Sequence, residues 1–365
     1  MGFKCGIVGL PNVGKSTLLN ALTQTAAAEA ANYPFCTIEP NIGRVAVPDA
    51  RVETLATLAK SAETVPTFLE FVDIAGLVRG ASRGEGLGNR FLGNIREVDA
   101  IIHVVRCFEG DVTHVEAGVD PIRDADIVET ELMLADLESL ERRIEPLQKK
   151  ANSGEKDAKG KVALMQPVLE LLREGRPARE AKIAAADRKA FRHLQLLTAN
   201  PMLYVCNVDE DSAAAGNDFS KSVAARAERE GAACVVISAA IEAEVAALDS
   251  QAERAEFLES IGLEETGLAR VIRAGYALLD LITFFTVGPK QSHAWTVRRG
   301  AKAPEAAGVI HTDFEKGFIR AETIACEDYM KYGGEQGARD AGKMRLEGKE
   351  YAVRDGDVFL FRFNV

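Results

Sequence analysis

The sequence predicts an α/β protein: a parallel sheet flanked by helices, an inserted antiparallel helical hairpin, and a small α+β domain at the end of the chain. Three observations carry this prediction. Short β-branched apolar runs alternate with longer helical patterns, GLPNVGKST stands between a strand and a helix, and the rhythm breaks from about residue 127 into a helix-forming region.

The expected strands are Cys5 to Gly9, Thr67 to Asp73, Ala100 to Val105, Met202 to Cys206 and Ala233 to Ser238. Their near-continuous apolar character is that of strands covered on both faces, as in βαβ units with a buried parallel sheet. From Ile127 to Ala199, Leu137, Leu140, Ile144 and Leu147 recur at three-four spacing. After the polar break ANSGEKDAKGK, Leu164, Val168 and Leu171 recur at four-three spacing. Two antiparallel helices packed as a coiled-coil hairpin fit this pattern. After Leu281 the stretches FFTVG, HAWTVRRG, FIRAETI and DGDVFLFRF alternate like half-solvated strands around turns such as Asp355-Gly356. The expected organisation is a nucleotide-binding domain over 1–280, interrupted by the hairpin at 127–199, and a second domain over 281–365.

Composition fits this division. A chain of 365 residues with 47% hydrophobic content has material for two or three cores. A net charge of -11 argues against a surface that wraps nucleic acid as a whole. The hairpin is the exception: between Glu141 and Arg192 it carries fourteen Lys and Arg against eight Asp and Glu, a local net of +6. Scattered cations are usually only a solvated surface, but this contrast of sign favours a face that meets phosphate, namely RNA. Six cysteines without CxxC pairs read as reduced thiols. No apolar run approaches the roughly 18 residues of a membrane span, and the first strand begins too early for a signal peptide. A cytoplasmic protein with no membrane partner is the expectation.

GLPNVGKST matches G-x-x-x-x-G-K-[ST] in the strand-loop-helix context that the motif requires. Its glycines let the loop from Asn12 through Val13 and Gly14 bend so that successive amides, up to Thr17, point at a phosphate in front of a helix N-terminus. Lys15 supplies charge to the β- and γ-oxygens, and Ser16 a hydroxyl for Mg2+. FVDIAG places Asp73 and Gly76 in D-x-x-G, with Asp73 toward the metal and the Gly76 amide toward the γ-phosphate. Thr37, in NYPFCTIEPN, is the candidate to complete the metal shell. Together, in this order and each at a strand end of one sheet, these elements predict the parallel sheet of a P-loop NTPase acting as a switch, which no single one of them would do.

At the base site a guanine reader carries Asn-Lys-x-Asp, whereas this chain has Asn207, Val208, Asp209 and Glu210. The extra methylene of Glu moves the carboxylate by roughly 1 Å, enough to spoil a two-bond geometry that must hold to about half an ångström. Ser238 and Ala239 open a Ser-Ala-Ala stretch that also lacks the usual Lys, so guanine specificity should be weakened or lost. A plain strand-ending turn is the bland alternative for Asn and Asp here. After D-x-x-G, Leu77 stands where a Ras-type enzyme keeps its water-orienting Gln. Of the five histidines, His103 reads as core, and His114 has a route to the γ-phosphate side.

These stretches, together with the terminal DYMKYGG and DGDVFLFRFNV, resemble the YchF or Obg-like ATPases over nearly the whole chain. The resemblance implies that the last domain is a TGS domain of β-grasp fold, and that ATP is used as well as or better than GTP. It also implies that Asn207, Val208 and Glu210 form an altered base motif, and that His114 orients the catalytic water. The implied partner is the ribosome, in particular its large subunit, with RNA met through the hairpin and the TGS domain. Two other readings stay open: an RNA or protein adaptor whose hydrolysis is incidental, and a conventional guanine-specific GTPase.

Overall fold

The computed structural model describes residues 3–30, 42–73, 96–110, 118–248 and 250–364. The first of two six-stranded sheets runs in the order Ile42–Ala46 (β2), Phe68–Asp73 (β4), Lys4–Val8 (β1), Ala100–Arg106 (β5), Met202–Asn207 (β6) and Ala233–Ile237 (β7). β4, β1, β5, β6 and β7 are parallel, in the places where the apolar runs predicted strands. Every residue of β5 and β6 is buried, which is why these strands read as unbroken apolar runs. β2 was not expected. It pairs antiparallel with β4 at the sheet edge, and its half-buried pattern left no strong signal.

His103 lies inside β5 beside Tyr204, fully enclosed, with Nδ1 unpartnered among the described residues. Burial, helped by the positive charges of Arg226, Lys15 and Arg179, pushes its pKa from 6.5 down to about 3. Below pH 6.5 the unfolded chain therefore gains a proton that the folded chain refuses, and stability falls as the pH drops through this window. His103→Leu should flatten the slope of unfolding free energy between about pH 6 and 4 by about 1 kcal/mol per unit, measured by urea titration against the parent chain.

Helices Lys15–Ala30 (α1), Asp218–Glu230 (α6), Ala239–Ala247 (α7) and Gly267–Leu278 (α9) flank this sheet, with Gln251–Ser260 (α8) packed outside α7. Pro121–Asn152 (α3) and Lys156–Arg173 (α4) form the hairpin. Asp120 caps α3 by accepting from the Ile122 and Arg123 amides, and Pro121 opens it. The turn is shorter than the polar break suggested. Gly154 reverses the chain at φ +100, and Lys156 already begins α4, where Lys161 pairs with Asp157 one turn away.

The seam also differs from the expected one. Leu140 and Ile144 of α3 meet Met165, Val168, Leu169 and Leu172 of α4, while Leu164 and Leu171 lie at the margin. Beyond Arg173 the chain returns through short turns and the small helix Arg188–Arg192 (α5) instead of a long helix. Fully buried Asp136 holds this return, accepting from the Leu197 and Thr198 amides at 2.8 Å and from the Thr198 hydroxyl at 2.6 Å. A clamp fixes the arm to the sheet: Arg226 of α6 donates to Glu129 and Glu230, Arg179 pairs with Glu129, and the Tyr204 hydroxyl donates to Glu230. No helix among the described residues is long and apolar enough to cross a membrane.

The second sheet runs Arg345–Glu347 (β11), Phe318–Ala325 (β10), Asp357–Phe363 (β12), Leu281–Val287 (β8), Gln291–Arg298 (β9) and Glu63–Val65 (β3). β8 and β9 are antiparallel, β12 returns parallel to β8, and Ala303–Ile310 (α10) covers Phe284, Phe318, Phe359 and Phe361. This hairpin-helix-strand order is the β-grasp arrangement that the resemblance implied. β3 and the helix Ala50–Ala59 (α2) reach it from the amino-terminal part of the chain. β3 pairs with β9, and Val52 and Leu55 of α2 share a core with Phe285, Ala294, Ile324 and Val358.

Candidate nucleotide site

The loop after β1 is shaped by residues that tolerate unusual backbone. Asn12 sits at φ +61 and Gly14 at φ +99, after which α1 starts at Lys15. The Leu18 amide reaches the Gly14 carbonyl at 2.9 Å, so the first helical turn begins directly at the loop. Its leading amides face a cavity of about 500 Å³. Val13 is buried beneath, and Lys15 is nearly so, its Nζ donating to the Leu10 carbonyl at 2.6 Å. Ser16 and Thr17 are exposed on the cavity wall.

The strand ends opposite supply the other wall. Asn12, Gly14, Lys15, Ser16 and Thr17 line the cavity together with Asn207, Val208, Glu210, Ser238 and Ala239. The fold thus unites the expected phosphate and base residues in one space, although about 190 positions separate them. Asn207 works as a clamp between them. Its Nδ2 donates to the Val13 carbonyl at 3.0 Å, and its Oδ1 accepts from the Ala239 amide at 2.9 Å. Gly14 is needed for this approach, since a Cβ there would lie 2.2 Å from Asn207 Nδ2.

Val208 is buried, its amide bonded to the Ile237 carbonyl. The Asp209 carboxylate accepts from the Ser212 amide, which fixes the turn and leaves the exposed Glu210 carboxyl at the cavity rim. Ser238 is buried and does not cap α7, and its Oγ has no hydrogen-bond partner among the described residues.

Ala240, the end of the Ser-Ala-Ala stretch, also lines the cavity, and two wall residues were not foreseen: Phe108 and Glu109. Phe108 is held by buried Arg106, whose guanidinium lies 4.5 Å from the ring centre and whose Nε donates to the Phe108 carbonyl. A lone Phe after a strand reads as core, so CFEG carried no separate signal. Asp73 ends β4 opposite Ile7 of β1, which puts its backbone at the same carboxyl end of the parallel strands as the phosphate loop. Thr37, Gly76 and His114 lie outside the described residues.

Comparison with known proteins agrees with this architecture. A family model described as a 50S ribosome-binding GTPase matches residues 4–137, and a YchF GTPase carboxy-terminal model, described as a protein of unknown function, matches 281–364. The chain is 57% identical to the ribosome-binding ATPase YchF of Haemophilus influenzae and 52% identical to that of Bacillus subtilis, in each case over 100% of both chains. The solved Schizosaccharomyces pombe YchF GTPase is 39% identical, with a TM-score of 0.88 over 99% of this chain and 98% of that one. A GTP-binding protein of Pyrococcus horikoshii, 21% identical with a TM-score of 0.61, shares the fold. Because the likeness runs through the nucleotide domain, the hairpin and the β-grasp domain alike, it cannot come from one borrowed module, and the chain belongs to the YchF family.

Proposed function

We propose that this chain is a magnesium-dependent, ribosome-binding ATPase that acts as a nucleotide switch, with GTP as a second substrate. One observation carries the reading: the phosphate loop and the Asn207–Glu210 turn line a single cavity in which Val208 and Glu210 occupy the places of guanine-reading Lys and Asp. Full-length identity to YchF proteins named as ribosome-binding ATPases supports it.

In this reading the loop amides and Lys15 hold the β- and γ-phosphates, Lys15 exchanging the Leu10 carbonyl for phosphate oxygen. Ser16, with Asp73 and Thr37, would hold magnesium, which supplies neutralisation of phosphate charge when bound. These are hard oxygen donors, the kind magnesium takes in small number beside phosphate and water. The half-buried Phe108 ring and the Val208 side chain offer apolar faces to a purine, and His114 orients the attacking water. His114→Ala should leave ATP affinity within about twofold while lowering turnover by about 100-fold, a size typical of a lost general base or water-positioning group. Unchanged turnover would remove its role.

For the partner, the hairpin is the candidate RNA face, together with the β-grasp domain, and the large ribosomal subunit the candidate target. Several arm cations are committed elsewhere: Arg179 to the clamp, Arg143 to the Leu194 carbonyl, Arg173 to Glu141 and Lys149 to Glu145. Lys150, Lys156 and Lys159 near the tip, and Arg188, Lys189 and Arg192 on the return, are exposed with no ion pair among the described residues. Calorimetric titration with ATP and GTP tests the core claim, and tight GTP binding with negligible ATP binding would refute it. Ribosome pelleting with ATP, ADP and an uncleavable analogue separates a switch from an adaptor, which would bind equally in all three.

A further inference from the structure

The chain between the segments carrying Thr37 and Gly76 is built into two layers at once. β2 and β4 form an antiparallel ladder from Ile42 opposite Val72 to Ala46 opposite Phe68. At its first end the chain continues toward Thr37 on one side and into Asp73 and Gly76 on the other. At its second end the Val47 amide bonds to the Thr67 carbonyl, and the chain passes into α2 and β3, which belong to the β-grasp layer. At about 3.3 Å per residue the ladder spans roughly 15 Å. It leads from Asp73, which stands beside Ile7 of β1, to the carboxy-terminal domain.

Arg51, in the first turn of α2, sits at the second end. Its guanidinium grips Asp49, the α2 cap, through Nε at 2.9 Å and Nη2 at 2.7 Å, and reaches Asp355 of the β-grasp domain through Nη1 at 2.7 Å. Asp355 in turn accepts from the Thr283 amide of β8, and the Arg51 guanidinium lies 5.3 Å from the centre of the Phe285 ring. A hydroxyl chain crosses the same seam, from Thr67 to Thr296 to Tyr276 to Thr283. Beside Arg51 the seam is not filled. A cavity of about 410 Å³, walled by Pro48, Asp49, Tyr276, Asp280 and Asp355, leaves room for the joint to reset.

We propose that Arg51 is a positioning residue for ATP hydrolysis: through Asp49 and Asp355 it ties the β2/β4 ladder, and with it the two γ-phosphate-sensing segments, to the seat of the carboxy-terminal domain. Docking of that domain on a partner and the geometry around the terminal phosphate then bias one another, because coupling between two sites is reciprocal. The effect belongs to turnover and not to binding, since the phosphate loop and the base wall lie outside the ladder. The proposal rests on the ATPase reading above.

The test uses the full-length chain with Mg-ATP. Arg51→Gln and Asp355→Asn, the latter keeping an acceptor for the Thr283 amide, should each lower kcat about tenfold with KM within about twofold, the size expected when reacting groups are misplaced from a distance. Arg51→Lys should recover part of the loss. Unchanged kcat in both variants overturns the proposal, and so does an equal loss of nucleotide affinity and turnover, which would mark a merely structural joint. A parent chain without ATP turnover fails the ATPase reading itself, a result visible before any variant is compared.

Discussion

Gly14→Ala should abolish measurable ATP binding, a loss of about 100-fold or more, in a chain that still folds. Gly14 holds φ +99, where an L side chain adds strain on the order of 1–3 kcal/mol. The new methyl would also stand 2.2 Å from Asn207 Nδ2 and 3.3 Å from its Cγ. Asn207 cannot step aside cheaply, because its amide bridges the Val13 carbonyl and the Ala239 amide. Whichever side yields, the loop leaves the conformation that aims its amides at phosphate. Calorimetry with Mg-ATP, alongside a thermal melt to confirm folding, reads the outcome, and affinity within about threefold of the parent would show that the cradle does not depend on this approach.

The paired change Val208→Lys with Glu210→Asp should raise the GTP-to-ATP affinity ratio by about 100-fold. The shorter carboxylate can accept two hydrogen bonds from guanine, and the Lys stem can cover the ring. Sites that match such donors discriminate by factors up to about 10⁴. The turn is already rigid, since Asp209 caps it through the Ser212 amide, so one methylene at position 210 translates directly into carboxylate position. Lys at the buried position 208 costs stability, so the single Glu210→Asp change serves as a companion with a smaller shift in the same direction. Competition titration measures the ratio. A constant ratio in both variants would place base recognition elsewhere.

Much of the architecture was legible before any coordinates. β5 and β6 are buried on both faces, and burial on both faces writes an uninterrupted apolar run, while the partly exposed β4 and β7 were legible from their β-branched and aromatic residues. The phosphate loop was equally plain, since only glycine-rich sequence lets backbone amides converge there, and strand and helix stood on either side. In α4, Val168 holds the seam as expected, but Met165 and Leu172 take the places of Leu164 and Leu171, because each pair is adjacent and period alone does not choose between them. Phe108 was missed for a different reason: its place at the cavity depends on Arg106, and nothing in CFEG announces that grip.

The places of the parallel strands, the hairpin, the mixed α+β texture of the last domain and the chemistry of the phosphate loop were settled by local rules of periodicity, turn geometry and backbone freedom, which neighbouring residues encode between themselves, while the β-grasp arrangement was implied by the family resemblance. The meeting of Asn207 with Val13, and of β3 with a β9 strand whose Gln291 lies 228 positions beyond Glu63, could not be read from the sequence alone. Such contacts depend on which surfaces remain exposed once each layer has formed. A three-residue strand or a single arginine at a seam carries too little apolar signal to reveal its partner until the two layers are packed together.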